Sequence, residues 1–185
     1  MTSNKTTSSF LIPHRRFGRT EIDMPVLSLG GMRFQQSWKD LDPKEINKQK
    51  QIILQKTITQ AAQNGLHHIE TARHYGTSEL QLGWAMNEFQ DPKRIIQTKV
   101  PPNHDPSIFE DELQLSFSKL GCKKIDLLAI HGINLPEHLD MTIRPNGCLQ
   151  VVRRWQELGL IDHIGFSTHA HVDLIVRTIE TGLFD

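Results

Sequence analysis

A chain of 185 residues, 37% of them hydrophobic and 23% charged, is long and apolar enough to bury a core, which sets aside a wholly disordered polypeptide. Lysine plus arginine balances aspartate plus glutamate at 21 each, so no net field favours nucleic acid or an anionic membrane, and no apolar run approaches the roughly 20 residues that a spanning helix needs. Two cysteines, Cys122 and Cys148, with no Cys-x-x-Cys pair and no export signal, point to a reducing, cytoplasmic setting without a disulfide framework or structural zinc.

The first residues, from Met1 to Phe17, are rich in serine and threonine and free of acids, but lack the apolar stretch of a signal peptide. They predict a disordered leader over 1–14 and a single folded unit over 15–185. Arg15 to Met24 reads as two short strands joined at Gly18-Arg19, a hairpin suited to the floor of a barrel. From Val26 onward short apolar runs alternate with helical patterns, the signature of repeated βα units around a parallel sheet.

Five strands are expected: Val26 to Gly30, His67 to Thr71, Arg94 to Val100, Ile125 to His131 and Asp162 to Ser167. Between them, Glu45 to Asn64 carries Ile46, Ile53, Leu54, Ile58, Ala61 and Ala62 as an apolar stripe closed by Gly65. A second helix starts with Asp105 as N-cap and Pro106 at its first position, turns Phe109, Leu113, Phe117 and Leu120 inward, and stops at Gly121. Two more run from Cys148 to Leu158 and from His171 to Thr181, each followed by a glycine. Phe34 to Lys44 and Asn134 to Asn146 read as irregular loops; both follow strands, where a βα barrel places its active site.

Chemistry concentrates at the ends of these strands. Glu70 and Tyr75 lie five residues apart between a strand and a helix start, Lys99 comes near the end of the next strand, and His131 ends the one after. Taken singly each has an ordinary reading, since a tyrosine after a strand usually packs and a glutamate is usually solvated or a cap. Jointly, three of the four close apolar strands at the end where barrel enzymes do chemistry. Carbonyl reduction needs a proton donor whose pKa is kept near the working pH. Tyr75 would be that donor, Lys99 beside it would favour the phenolate and lower its pKa, and Glu70 would hold the ammonium charged and in place. His131 would hydrogen-bond the carbonyl oxygen and stabilise charge as it develops.

These four residues resemble the catalytic tetrad of the aldo-keto reductases. Gly65-Leu66-His67-His68-Ile69-Glu70-Thr71-Ala72, followed by Tyr75-Gly76, Ser78-Glu79 and Leu82-Gly83, looks like that family's signature around its tyrosine. Gln97-Thr98-Lys99-Val100, Ile125-Asp126-Leu127-Leu128 with His131, and Ile164-Gly165-Phe166-Ser167-Thr168 continue the likeness, which runs from Arg15 to Asp185. The resemblance implies a (β/α)8 TIM-barrel fold, α/β in class, with an N-terminal hairpin, and NADPH laid across the barrel mouth without a Gly-x-Gly-x-x-Gly loop. It implies Ser167 and Thr168 as cofactor contacts, Thr168 standing where many members have asparagine. Most members carry aspartate where Glu70 stands, and the longer side chain moves the carboxylate outward by about 1.5 Å, one C–C bond. That glutamate, with Gly30-Gly31-Met32-Arg33-Phe34, His131-Gly132-Ile133-Asn134 and Phe166-Ser167-Thr168-His169, resembles a microbial branch whose longer members append a ferredoxin-like iron–sulfur domain, of which this sequence has no part.

An eight-stranded barrel usually takes about 250 residues. The sequence therefore predicts a barrel truncated after about five βα units, with three strands missing. Three functions are open: an NADPH-dependent reductase of a small aldehyde or ketone, a non-catalytic fragment that needs a complementary C-terminal part, or a module that self-associates through its open sheet edges. His169 and His171 lack a carboxylate or cysteine partner at ligand spacing, so no metal is expected. His67 and His68 read as packing and solvent contacts.

Overall fold

The computed structural model describes residues 11–185; residues 1–10 of the expected leader lie outside them. Ile12 donates its N–H to Asn64 O at 2.9 Å and His14 opens the first strand, so the folded part begins before Arg15. Strands β1 (His14–Arg16) and β2 (Asp23–Pro25) pair antiparallel with Arg15 opposite Met24. The reversal is wider than the expected Gly18-Arg19 turn: Gly18–Thr20 forms a 3-10 turn closed by Thr20 Oγ1 donating to Phe17 O. Met24 packs with Ile95 and Leu127, and Ile22 lies against them, which places the hairpin under the sheet as a floor.

Five parallel strands follow, β3 (Leu29–Gly30), β4 (His68–Glu70), β5 (Ile95–Val100), β6 (Ile125–Ile130) and β7 (Ile161–Phe166), hydrogen-bonded in chain order. Doubly wound sheets reverse strand order at a switch point; this one does not, so its twist accumulates in one direction as in a barrel wall. The register sets Glu70 opposite Gln97, Lys99 opposite Ala129 and Ala129 opposite Gly165. Because side chains alternate, Ile69, Thr98, Leu128 and Ile164 turn away from the row that holds Glu70, Lys99 and Ala129. Ile69, Leu128 and Ile164 join the main core. The expected first strand shrinks to two residues because Val26 bonds to Pro13 O beside the hairpin and, with Leu27, stays exposed.

Helix α1 (Lys48–Gln63) begins at its cap Asn47, not at Glu45. Asp42 and Glu45 instead close a capping box around a 3-10 turn, Pro43–Glu45, which uses the local polar groups before the helix can start. Of the expected stripe, Leu54 and Ile58 are buried while Ile53 is exposed. Helix α2 (Ser78–Glu88) follows the tyrosine segment. Helix α3 (Pro106–Leu120) has the predicted ends: Asp105 accepts from Ser107 N at 2.9 Å, and Gly121 closes it at φ 61. Within the stretch read as an irregular loop, α4 (Pro136–Ile143) forms and buries Leu139 and Met141. Helices α5 (Cys148–Glu157) and α6 (Val172–Glu180) lie within a residue of the predicted limits. Among the described residues no helix is long and apolar enough to cross a membrane.

Candidate active site

The chain after β4 does not leave β5 at once. Thr71 N donates to Gln97 O at 2.9 Å and Arg73 N to Lys99 O at 2.8 Å, so the backbone follows β5 to its end before turning. The turn closes with Tyr75 N donating to Ala72 O, and Ser78 N donating to Tyr75 O opens α2. This short excursion returns Tyr75 over Lys99, whose ammonium lies 4.8 Å from the ring centroid. The same ammonium contacts the Glu70 carboxylate and donates to Thr71 O at 2.8 Å.

Burial pushes Lys99 down to about 8, whereas the carboxylate in contact with it acts in the opposite direction. Both leave the ammonium charged at neutral pH. Tyr75 departs from the sequence expectation: burial raises its phenol above the usual value, with Lys99 over the ring. The phenol therefore keeps its proton at neutral pH.

His131 follows β6 directly, donating its N–H to Val100 O at 2.8 Å. Its ring meets Tyr75 edge to face, with centroids 5.7 Å apart and planes at 87°, and His74 lies on another side at 6.4 Å. Burial first, then Lys99, His74 and His169, push its pKa down to about 4, so the imidazole is neutral at pH 7. Its Nδ1 is buried without a hydrogen-bond partner.

Ser167 and Thr168 come after β7 and stitch two loops together. Ser167 Oγ accepts from Gly132 N at 3.0 Å, Ile133 N donates to Ser167 O, and Thr168 Oγ1 donates to Ile133 O at 2.7 Å. Thr168 Oγ1 also accepts from Ala170 N. The Thr168 proton is thus committed to the loop, while the Ser167 hydroxyl accepts one bond and retains a proton to donate.

Several residues around the site make contacts that no local sequence pattern assigns. The Arg73 guanidinium, 5% exposed, bonds Glu79 and Asp40 at 2.6 Å and Glu112 at 3.0 Å. Glu79 is fully buried, accepts from Thr98 Oγ1 at 2.7 Å, and has its pKa raised by burial. Trp38, from the loop after β3, sets its ring edge to face with Tyr75 at 6.5 Å. These partners lie from six to 39 residues apart at no helical or strand period, so only the fold brings them together.

His68 lies between Ser28 Oγ at 2.7 Å and Gln97 Oε1 at 2.9 Å, and His67 pairs with Asp91 at 2.7 Å; neither reaches the Tyr75 cluster. Among the described residues no group of three or more histidine, cysteine or acidic side chains is arranged to hold a metal ion.

The profile of the Aldo/keto reductase family matches residues 26–181. No curated protein matches the sequence. Among solved structures, PA4992 of Pseudomonas aeruginosa, described as an aldo-keto reductase, is similar at 22% identity over 97% of this chain and 69% of its own, with a TM-score of 0.73. The thermostable aldo-keto reductase Tm1743, solved with the inhibitor epalrestat, is 26% identical over 90% of this chain and 57% of its own, with a TM-score of 0.71. The Bombyx mori aldo-keto reductase AKR2E4, solved with NADP, is 22% identical over 92% of this chain and 54% of its own, with a TM-score of 0.65. The chain thus spans between 54% and 69% of the length of these three structures. With the profile matching most of its length over a singly wound parallel sheet, the chain belongs to the aldo-keto reductase family.

Proposed function

We propose that the site reduces an aldehyde or ketone to an alcohol with NADP(H), Tyr75 giving the proton. The observation that carries this reading is the convergence of Glu70, Lys99, Tyr75 and His131 at the ends of β4, β5 and β6. The Tyr75 phenol, protonated at neutral pH, has a proton to give to the oxygen of the carbonyl. Lys99 then stabilises the phenolate that remains, and Glu70 keeps Lys99 in place. His131, neutral and close to Tyr75, donates to the same oxygen and orients it.

The dinucleotide supplies the hydride when bound. The NADP in the Bombyx mori structure and the family's profile support this choice of cofactor. Of the two residues expected to contact it, Ser167 retains a free hydroxyl proton that suits a carboxamide oxygen, and Thr168 holds the loop that presents Ser167. A small carbonyl compound is the substrate class, and a cytoplasmic setting agrees with two unpaired thiols.

A second reading has its own observation. The inner face of β6 and β7, with Leu127, Ala129, His163 and Gly165, lines a cavity of 240 Å³ that Phe17, Thr20, Phe184 and Asp185 help to close. In that reading the 185 residues are a non-catalytic part that requires further strands, and self-association through the β7 edge is its by-product. Thermal unfolding followed by circular dichroism, with and without excess NADPH, separates the two. A cooperative transition that NADPH raises supports the enzyme; a broad transition indifferent to NADPH supports the fragment. Given turnover, Tyr75→Phe should abolish it and leave the NADPH-induced rise intact, and unchanged turnover would refute the assignment of the donor.

A further inference from the structure

The segment Gln36–Asp40 lies across the Tyr75 turn and is fixed to it at two ends. At one end Gln36 N donates to Thr77 Oγ1 at 2.8 Å and Thr77 N donates to Ser37 O at 3.1 Å. Gly76 sits at φ 52, and a Cβ there would overlap the Ser37 carbonyl, so the two backbones touch. At the other end both Asp40 carboxylate oxygens accept from Arg73 at 2.6 Å, and Oδ1 also accepts from Lys119 Nζ at 2.9 Å. Trp38 is held between these anchors with its ring against Tyr75. Trp38 is nevertheless 63% exposed, so packing into a core does not keep it there.

We propose that Asp40 is a positioning residue for Tyr75: by tying the loop after β3 to Arg73 and Lys119, it holds Trp38 against the tyrosine ring and keeps water from the proton donor. As a catalytic role this rests on Tyr75 being the donor, but the contact itself does not. Arg73 comes two residues before Tyr75 on the same turn, so the latch binds loop and donor to one another as a unit. Burial opposes ionisation of Asp40, but Lys119 and Arg73 outweigh it and hold the carboxyl below the usual aspartate range, so the carboxylate and its Arg73 partner stay charged at neutral and alkaline pH. The charged or titratable groups that face Tyr75 are Lys99 over its ring and His131 at its edge, with Glu70 acting through Lys99; none belongs to the latch.

Tyr75 is the only tyrosine in the chain, so absorbance at 295 nm reports its ionisation alone and needs neither cofactor nor turnover. Failure of the enzyme reading would leave this readout intact. In Asp40→Ala the titration midpoint should fall by about half a unit toward the ordinary value as water reaches the ring, with the circular dichroism of the same samples unchanged. Trp38→Ala changes no charge and removes an exposed side chain, so it should fold and show the same fall; Asp40→Glu should restore the original midpoint. An unmoved midpoint in Trp38→Ala would overturn the proposal, even if Asp40→Ala shifts, because the shift would then be a charge effect at a distance. A lowered melting temperature with an unmoved midpoint in Asp40→Ala would overturn it equally, leaving Asp40 with a structural role only.

Discussion

The two sides of the site are built differently. On the β4–β5 side each polar group is held from at least two directions: Lys99 by Glu70 and Thr71 O, Arg73 by three carboxylates, Tyr75 by Lys99, His131 and Trp38. On the β6–β7 side the inner face carries Leu127, Ala129 and Gly165 with His163 as its one polar side chain, opens on a cavity, and borders Asp185, which donates its N–H to Ile164 O and accepts from Ile164 N. Proton transfer needs groups fixed within a few tenths of an ångström, and the groups we propose for it stand where each is held from more than one side. Ser167 and Thr168, which we propose as cofactor contacts, lie on loops stitched by their two hydroxyls and a few backbone bonds.

That contrast can be broken by experiment. The largest effect is expected from Arg73→Leu, which leaves the buried Glu79 carboxylate without its guanidinium and should cost about 3–5 kcal/mol in urea unfolding. A loss below about 1 kcal/mol would mean that Glu79 is neutral and the network dispensable. Lys99→Met should lower turnover by about 10²–10³ and raise the Tyr75 midpoint at 295 nm, because a positive charge that favours the phenolate is gone.

His131 predicts a pH dependence. Its folded pKa of about 4 lies below the ordinary histidine value near 6.5, so the unfolded chain binds the extra proton first. Stability should be complete above about pH 6.5 and fall toward pH 4, with a slope of at most about 1.4 kcal/mol per pH unit, and His131→Gln should flatten that slope. The smallest effect is expected from Glu70→Asp. It shortens the side chain by about 1.5 Å and restores the carboxylate most family members carry, so turnover should stay within about tenfold of the parent. A larger drop would mean that the β4–β5 spacing is tuned to glutamate.

The sequence made the parallel sheet and the four central residues legible because both obey short-range rules. Strand ends put Glu70, Lys99 and His131 at one rim, and α3 followed from Asp105, Pro106 and Gly121. Helix α4 escaped because eight residues give barely two turns of pattern, although Pro136 at its first position was a usable signal. The start of α1 moved because Asp42 and Glu45 made a local cap that apolar spacing does not register. The Arg73 network was invisible for another reason: its partners come from the loop after β3, from α2 and from α3, and no local pattern joins them. The expected lowering of the Tyr75 pKa is not seen because burial raises it, and how far a tyrosine after a strand is buried cannot be read from the lysine's place in the sequence.

The unpartnered Nδ1 of His131 has one more consequence. A buried N–H with no acceptor is costlier than a buried bare lone pair, so the proton of the neutral ring belongs on Nε2. In many enzymes a carboxylate or carbonyl behind a histidine chooses its tautomer by accepting from the rear nitrogen. Here the lack of any partner at Nδ1 does the choosing, and the ring becomes a one-sided hydrogen-bond donor without any residue devoted to making it so.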